Sequence, residues 1–146
     1  MKKIFFAAVF TVLASAGFSH TPSEVNEKVL KAFKETFTNA TNVAWLESNN
    51  YYEANFKQSA ITTRARYDVE GNLLSTIRYY YEENLPSFIT AKLKKKYPGK
   101  SVFGVTETAN EDEVLYYIKL EDDKNWYTIK SDNLARFEMT EKYKKS

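Results

Sequence analysis

Eight short segments of alternating apolar and polar residues, in two sets of four, constrain this 146-residue chain more than any other feature. The first set is 43–47, 51–57, 60–68 and 73–81; the second is 101–107, 114–120, 126–130 and 134–139. Their separators are turn formers: "SNN", "EGN", "NED", "EDDK" and "SDN". A period of two sends alternate side chains to opposite faces, so each segment reads as a strand with one buried side.

An amphipathic helix precedes each set. Val25, Val29, Phe33 and Phe37 recur every four residues, with Leu30 and Ala32 beside them, which makes one apolar stripe. Thr21-Pro22-Ser23-Glu24 supplies an N-cap, a proline at the first helical position and a capping box. The second helix is expected to start with Pro86 at its first helical position. Ile89, Leu93 and Tyr97 form its stripe, and Pro98-Gly99 stops it. Lys92, Lys94, Lys95 and Lys96 crowd its C-terminal half, where cations suit the helix dipole. That run reads as a solvated helix face, with an anionic-partner patch as the alternative.

Helix plus four strands thus occurs twice, over about 21–83 and 84–146. Phe37 corresponds to Tyr97 and Tyr67 to Tyr127, each pair 60 residues apart. A 60-residue unit buries too little surface to stand alone. The expected fold class is therefore α+β: tandem helix-plus-four-strand units forming one antiparallel sheet with both helices on one face, as a single domain over 17–146.

Residues 1–16 have a different character. "MKK" is a basic start, Ile4 to Ala14 is almost unbroken apolar sequence, and Ala14-Ser15-Ala16 is a small-x-small cleavage site. This is the pattern of a secretory signal peptide cut near Ala16, so a periplasmic or secreted location is expected. The full chain carries 21 Lys+Arg against 19 Asp+Glu; without Lys2 and Lys3 the balance is 19 against 19. A nucleic-acid binder keeps a basic excess, so nucleic acid is not an expected partner. With no cysteine, disulfides, thiol nucleophiles and a cysteine-linked lipid anchor are excluded, and no membrane span is expected after processing.

The pattern resembles the PepSY-like family, also described as beta-lactamase-inhibitor-like, of small exported bacterial proteins. "VLKAFKETFTNATNVAW", "YYEANF", "YDVEGNLL", "LPSFITAKLKKKYPGK" and "VLYYIKLEDDKNWYTI" carry the resemblance, which spans essentially the whole mature chain. It implies the tandem helix-plus-four-strand fold and a role in binding or inhibiting another exported protein. Beta-lactamase inhibitory proteins proper have disulfides and this chain has none, so no target-contact residue carries over.

Strand parity sorts the side chains into two faces. Counting from Leu73, the stretch "RYYYEE" turns Tyr79 and Tyr81 inward and leaves Tyr80 outward beside Arg78. Across all strands the uncovered face is expected to collect Tyr51, Tyr80, Tyr117 and Trp126 among Arg64, Arg66, Arg78 and Arg136. Tyr, Trp and Arg dominate protein-interface hot spots, so these eight are the candidate binding residues. The same residues also suit ordinary cross-strand pairing on a half-solvated sheet.

Catalytic signals are thin. The single histidine, His20, lies just past the expected cleavage point, and no H-E-x-x-H, G-x-S-x-G, Walker or dinucleotide motif occurs. Glu53 with Glu138 or Asp68 is the one acid–base pairing the strand faces suggest. "EDDK" at 121–124 lacks the spacing and glycine of a calcium loop. No catalytic residue, metal site or cofactor is expected. The chain reads as a non-catalytic exported protein that binds, and can inhibit, another exported or cell-envelope protein through its open sheet face. The alternative is a periplasmic small-molecule or glycan binder that uses aromatic stacking.

Overall fold

The structure, a computed structural model, describes residues 25–146; the signal segment, His20 and the Thr21 capping box lie outside the described residues. The elements run α1 (Glu27–Thr36), β1 (Thr41–Ser48), β2 (Tyr51–Gln58), β3 (Ile61–Tyr67), β4 (Leu73–Tyr80), a 3-10 turn (Glu82–Asn84), α2 (Ser87–Lys96), β5 (Ser101–Asn110), β6 (Val114–Glu121), β7 (Asn125–Asp132) and β8 (Phe137–Lys144). The eight strands form one open antiparallel sheet in sequence order, each paired only with its neighbours in the chain. The fold is mixed α+β.

Asn26 caps α1. Its side-chain oxygen accepts from the Lys28 amide at 2.8 Å, and its Nδ2 donates to the Val69 carbonyl at 3.0 Å. One side chain thus starts the helix and ties it to the β3–β4 turn. In that turn Gly71 has φ +90°, and a Cβ there would lie 2.9 Å from the Lys28 carbonyl oxygen, so only glycine fits. Pro86 sits just before α2, and its carbonyl accepts from Ile89 and Thr90 at 2.9 and 3.0 Å. Phe37 and Tyr97 close the two helices with nearly the same backbone (φ −123°, ψ 68° and φ −125°, ψ 65°) and the same 2.8 Å bond back to Phe33 and Leu93.

Val25, Val29 and Phe33 pack with Trp45, Ala54, Phe56, Ala65 and Tyr67 in one buried cluster. Leu85, Ile89 and Leu93 pack with Tyr80, Val105, Tyr116, Ile118, Leu120, Tyr127 and Ile129 in another. Directly opposed residues of an antiparallel ladder point to the same side. The row Phe56–Thr63–Arg78–Glu107–Tyr116 therefore lies on one side of the sheet, with a member of each cluster at its ends and a polar strip between; that side is called here the cluster face.

The lysine run of α2 is partly committed. Lys96 Nζ donates to the Phe137 carbonyl at 3.1 Å and Lys92 Nζ to that of Leu134 at 3.5 Å, which ties α2 to the start of β8. The last strand departs from expectation: 134–139 straddles a turn, and β8 begins only at Phe137. Asp132 Oδ1 accepts from the Leu134 and Arg136 amides, and Ala135 takes φ 58°, so the "SDN" turn extends three residues further than its letters suggest. Among the described residues, no helix is long and apolar enough to cross a membrane.

Candidate functional site

The face opposite the clusters is built from the other half of each strand. One row crosses most of the sheet: Lys57, Thr62, Tyr79, Thr106, Tyr117, Lys130 and Glu138. Tyr79 and not Tyr80 stands in it. The cause is an irregularity between β3 and β4, where Arg66 opposes Ser75 but Tyr67 opposes Leu73. Leu74 is the extra residue, and one extra residue moves every later side chain to the other face.

The expected placement of Tyr80 and Arg78 is thereby corrected. Both lie on the cluster face, where Tyr80 is 4% exposed. Its hydroxyl donates to Glu107 at 2.5 Å, and Arg78 Nη1 donates to the other oxygen of Glu107 at 3.0 Å. Burial raises the Tyr80 phenol well above its ordinary range, and the neighbouring Glu107 carboxylate raises it further. Tyr79 and Tyr81, expected inward, are 39% and 62% exposed.

Arg136 lies in the β7–β8 turn rather than on a strand, and its guanidinium pairs with Asp132. Tyr51, Arg64, Arg66, Tyr117 and Trp126 are on the opposite face, as strand parity predicts. They are not one cluster. Arg64 and Arg66 both clamp Glu53, at 2.9 Å each, and the Arg66 guanidinium lies 4.7 Å from the Tyr51 ring centre. Burial pushes the Glu53 carboxyl up, but hydrogen bonds and charge from Arg66 and Arg64 outweigh it and hold the group below its ordinary value. Glu53 first, and then the Tyr79 side chain, raise the Arg64 guanidinium above its ordinary value, which sets Tyr79 beside the clamp.

Beyond Tyr79 the face deepens into a cavity of about 690 Å³. Tyr79, Phe103 and Tyr117 line it together with Tyr80 and Tyr81, with Thr62, Thr106 and Thr128 between them and Lys57 and Lys119 also in the lining. Phe103 occupies a second irregularity, between Val102 and Gly104 of β5, and is 55% exposed. Its ring meets Trp126 edge-on at 4.9 Å, and Lys145 caps the Trp126 ring at 4.6 Å while pairing with Glu121 at 2.6 Å. Sequence parity missed Tyr79 and Phe103. Gly104 inside a strand is the one letter that signals the second bulge; nothing comparable marks Leu74.

The acid–base pairing is not formed. Glu53 is on β2 and Glu138 on β8, six strands away or roughly 29 Å at the usual strand spacing. Asp68 instead holds its own turn, accepting from the amides of Glu70 and Asn72 at 2.9 Å each. In "EDDK", Asp122 is occupied by Lys100 at 2.8 Å and the Tyr127 hydroxyl at 2.6 Å. The Lys100 bond, then that from Tyr127, holds its carboxyl far below the usual range. Among the described residues, no group of three His, Asp or Glu side chains is arranged to hold a metal ion.

No family model matches the sequence, and no curated protein matches it. Solved structures do. A DUF2874 family protein from Bacteroides uniformis aligns at 18% identity over 81% of this chain and 88% of its own, with TM-score 0.56. One from Bacteroides ovatus aligns at 20% identity over 81% and 86%, with TM-score 0.58. A BLIP-like protein from Bacteroides fragilis aligns at 19% identity over 82% and 85%, with TM-score 0.57. At such identities the likeness is one of fold, and the fold is BLIP-like.

Proposed function

We propose that this chain is an exported, non-catalytic protein that binds, and can inhibit, another exported or cell-envelope protein through the face opposite its clusters. Two half-repeats of helix plus four strands build that face, with both helices over the other side. The matching helix ends at Phe37 and Tyr97 support the duplication, and the shared Phe56–Tyr116 row supports the common side.

The observation that carries the proposal is the aromatic group of exposed Tyr79 and Phe103 and half-buried Tyr117 around one cavity, with half-buried Trp126 edge-on against Phe103. Amphipathic rings with few rotatable bonds are what interface anchors are made of. Among the described residues, the buried carboxylates Glu53 and Glu107 are committed to arginines, which suits a scaffold more than an acid–base catalyst. Export rests on residues 1–16.

A pull-down from the exported fraction with the mature chain identifies the partner. Tyr79→Ala and Trp126→Ala are then each expected to weaken binding roughly 30-fold, the equivalent of about 2 kcal/mol for a hot spot. Undiminished binding by a well-folded variant with Tyr79, Phe103, Tyr117 and Trp126 all changed to serine eliminates this face. Retention of a sugar or small aromatic compound in place of any protein selects the small-molecule reading.

A further inference from the structure

The cavity is lined by two lysines and by no Asp or Glu. Arg64 and Arg66 share Glu53, Arg78 has Glu107, Lys100 has Asp122, Arg136 has Asp132 and Lys145 has Glu121. Lys57 and Lys119 flank the cavity, yet among the described residues neither forms an ion pair, and no Asp or Glu lines it. Lys119 is nonetheless held in place. Its ammonium donates to Thr128 Oγ1 at 3.4 Å and to the Tyr143 hydroxyl, and lies 4.3 Å from the Tyr143 ring centre. Thr128 Oγ1 in turn donates to Glu141 at 2.7 Å, which holds that carboxylate one hydroxyl away from Lys119 and outside the cavity lining. An oriented cation at the rim of a cavity that no Asp or Glu lines is complementary to an anion delivered from outside.

Resting on the partner-binding role of this face, we propose that the partner inserts an acidic extended segment. One aromatic or large aliphatic side chain seats among Tyr79, Phe103 and Tyr117, and carboxylates on either side of it pair with Lys57 and Lys119. Lys57 is on β2 and Lys119 on β6, four strands apart. At the usual strand spacing that is roughly 19 Å, and an extended chain covers it in about four to six residues. A single small carboxylate cannot span both cations; a peptide segment can. Thr62 and Thr106 between the rings offer hydroxyls to its backbone, while that of Thr128 is already given to Glu141.

The test is panning of a random library of displayed peptides, each about 12 residues long and so able to cross the cavity when extended. The target is the mature protein, and the recovered peptides are then synthesised and their affinity measured by fluorescence anisotropy at low and high salt. Recovered sequences should carry Asp or Glu on both sides of a Phe, Trp or Leu. The double variant Lys57→Gln, Lys119→Gln should weaken them roughly tenfold, the scale of two partly exposed ion pairs, and flatten the salt dependence. Circular dichroism melts confirm that the variant is folded.

Neutral or basic recovered sequences, or unchanged affinity in the double variant, overturn the proposal. If Phe103→Ser with Tyr117→Ser abolishes binding while the lysine variant does not, the face still binds protein and only the acidic segment fails. If neither pair of substitutions alters binding, the face itself is not the site. Binding of indole-3-acetate with no peptide recovered overturns it in favour of a small anion.

Discussion

Phe33→Ala is the sharpest test of how α1 is held. The helix has ten residues and buries two of them, Val29 and Phe33. The Phe33 ring lies 5.1 Å from the rings of both Trp45 and Phe56 and 5.6 Å from Phe37, and the residue is 6% exposed. A buried phenylalanine removes about 170 Å² from water, worth ~4 kcal/mol at ~25 cal/mol per Å². The usual range for this substitution in a core is about 3–5 kcal/mol. For a domain of roughly 130 residues the unfolding entropy is about 270 cal/mol/K, so ~4 kcal/mol lowers Tm by about 15 °C. Urea unfolding followed by far-ultraviolet circular dichroism and by tryptophan fluorescence measures the loss. The chain has two tryptophans: Trp45 touches Phe33, and Trp126 sits in the other half beside Phe103. In a Trp45→Phe background the fluorescence reports Trp126 alone, and its midpoint should fall with that of the dichroism, because one sheet is continuous through both halves. A loss below ~1 kcal/mol would refute the assignment of Phe33 to the core.

Glu53→Gln leaves Arg64 and Arg66 without their shared carboxylate and should cost about 1.5–3 kcal/mol, the range for hydrogen bonds to a charged group. Because the folded carboxyl titrates below its ordinary value of 4.5, its stabilisation is complete above that value and is lost as pH falls through the lower folded value. Urea midpoints measured into acid should therefore fall more steeply for the native chain than for the variant, and parallel curves contradict the clamp. N-terminal sequencing of exported material should begin at or near Gly17, whereas an intact Met1 in the membrane fraction removes the signal-peptide assignment.

Alternation was enough to locate the strands because a half-buried sheet writes its period into the letters, and four-residue stripes did the same for Phe33 and Leu93. Face assignment was legible wherever the ladder runs without interruption, as at Tyr51, Arg64, Arg66, Tyr117 and Trp126. It failed in β4, where alternation cannot say which of Leu73 and Leu74 begins the count, and the bulge makes the difference. Tyr80 compounds the problem. A tyrosine whose hydroxyl is satisfied by a buried glutamate is as good a core residue as leucine, but Glu107 reads from the sequence as a solvated charge. Asp132 likewise looks like one turn residue among several until its carboxylate is seen accepting from two amides, and only then does the late start of β8 make sense.

The bulge at Leu74 also bears on how such a surface changes over generations. A substitution alters one side chain of a face, whereas loss of the single codon for Leu74 would remove the bulge and leave Ser75 opposite Arg66 and Tyr79 opposite Thr62, so every later side chain keeps its side. Loss of one codon between Ser75 and Ile77 would draw Leu74 into the ladder instead, exchanging only the residues before the deletion and keeping Tyr79 outside and Arg78 beside Glu107. The extra residue is therefore slack in the strand, which lets the chain lose length here without losing the aromatic row.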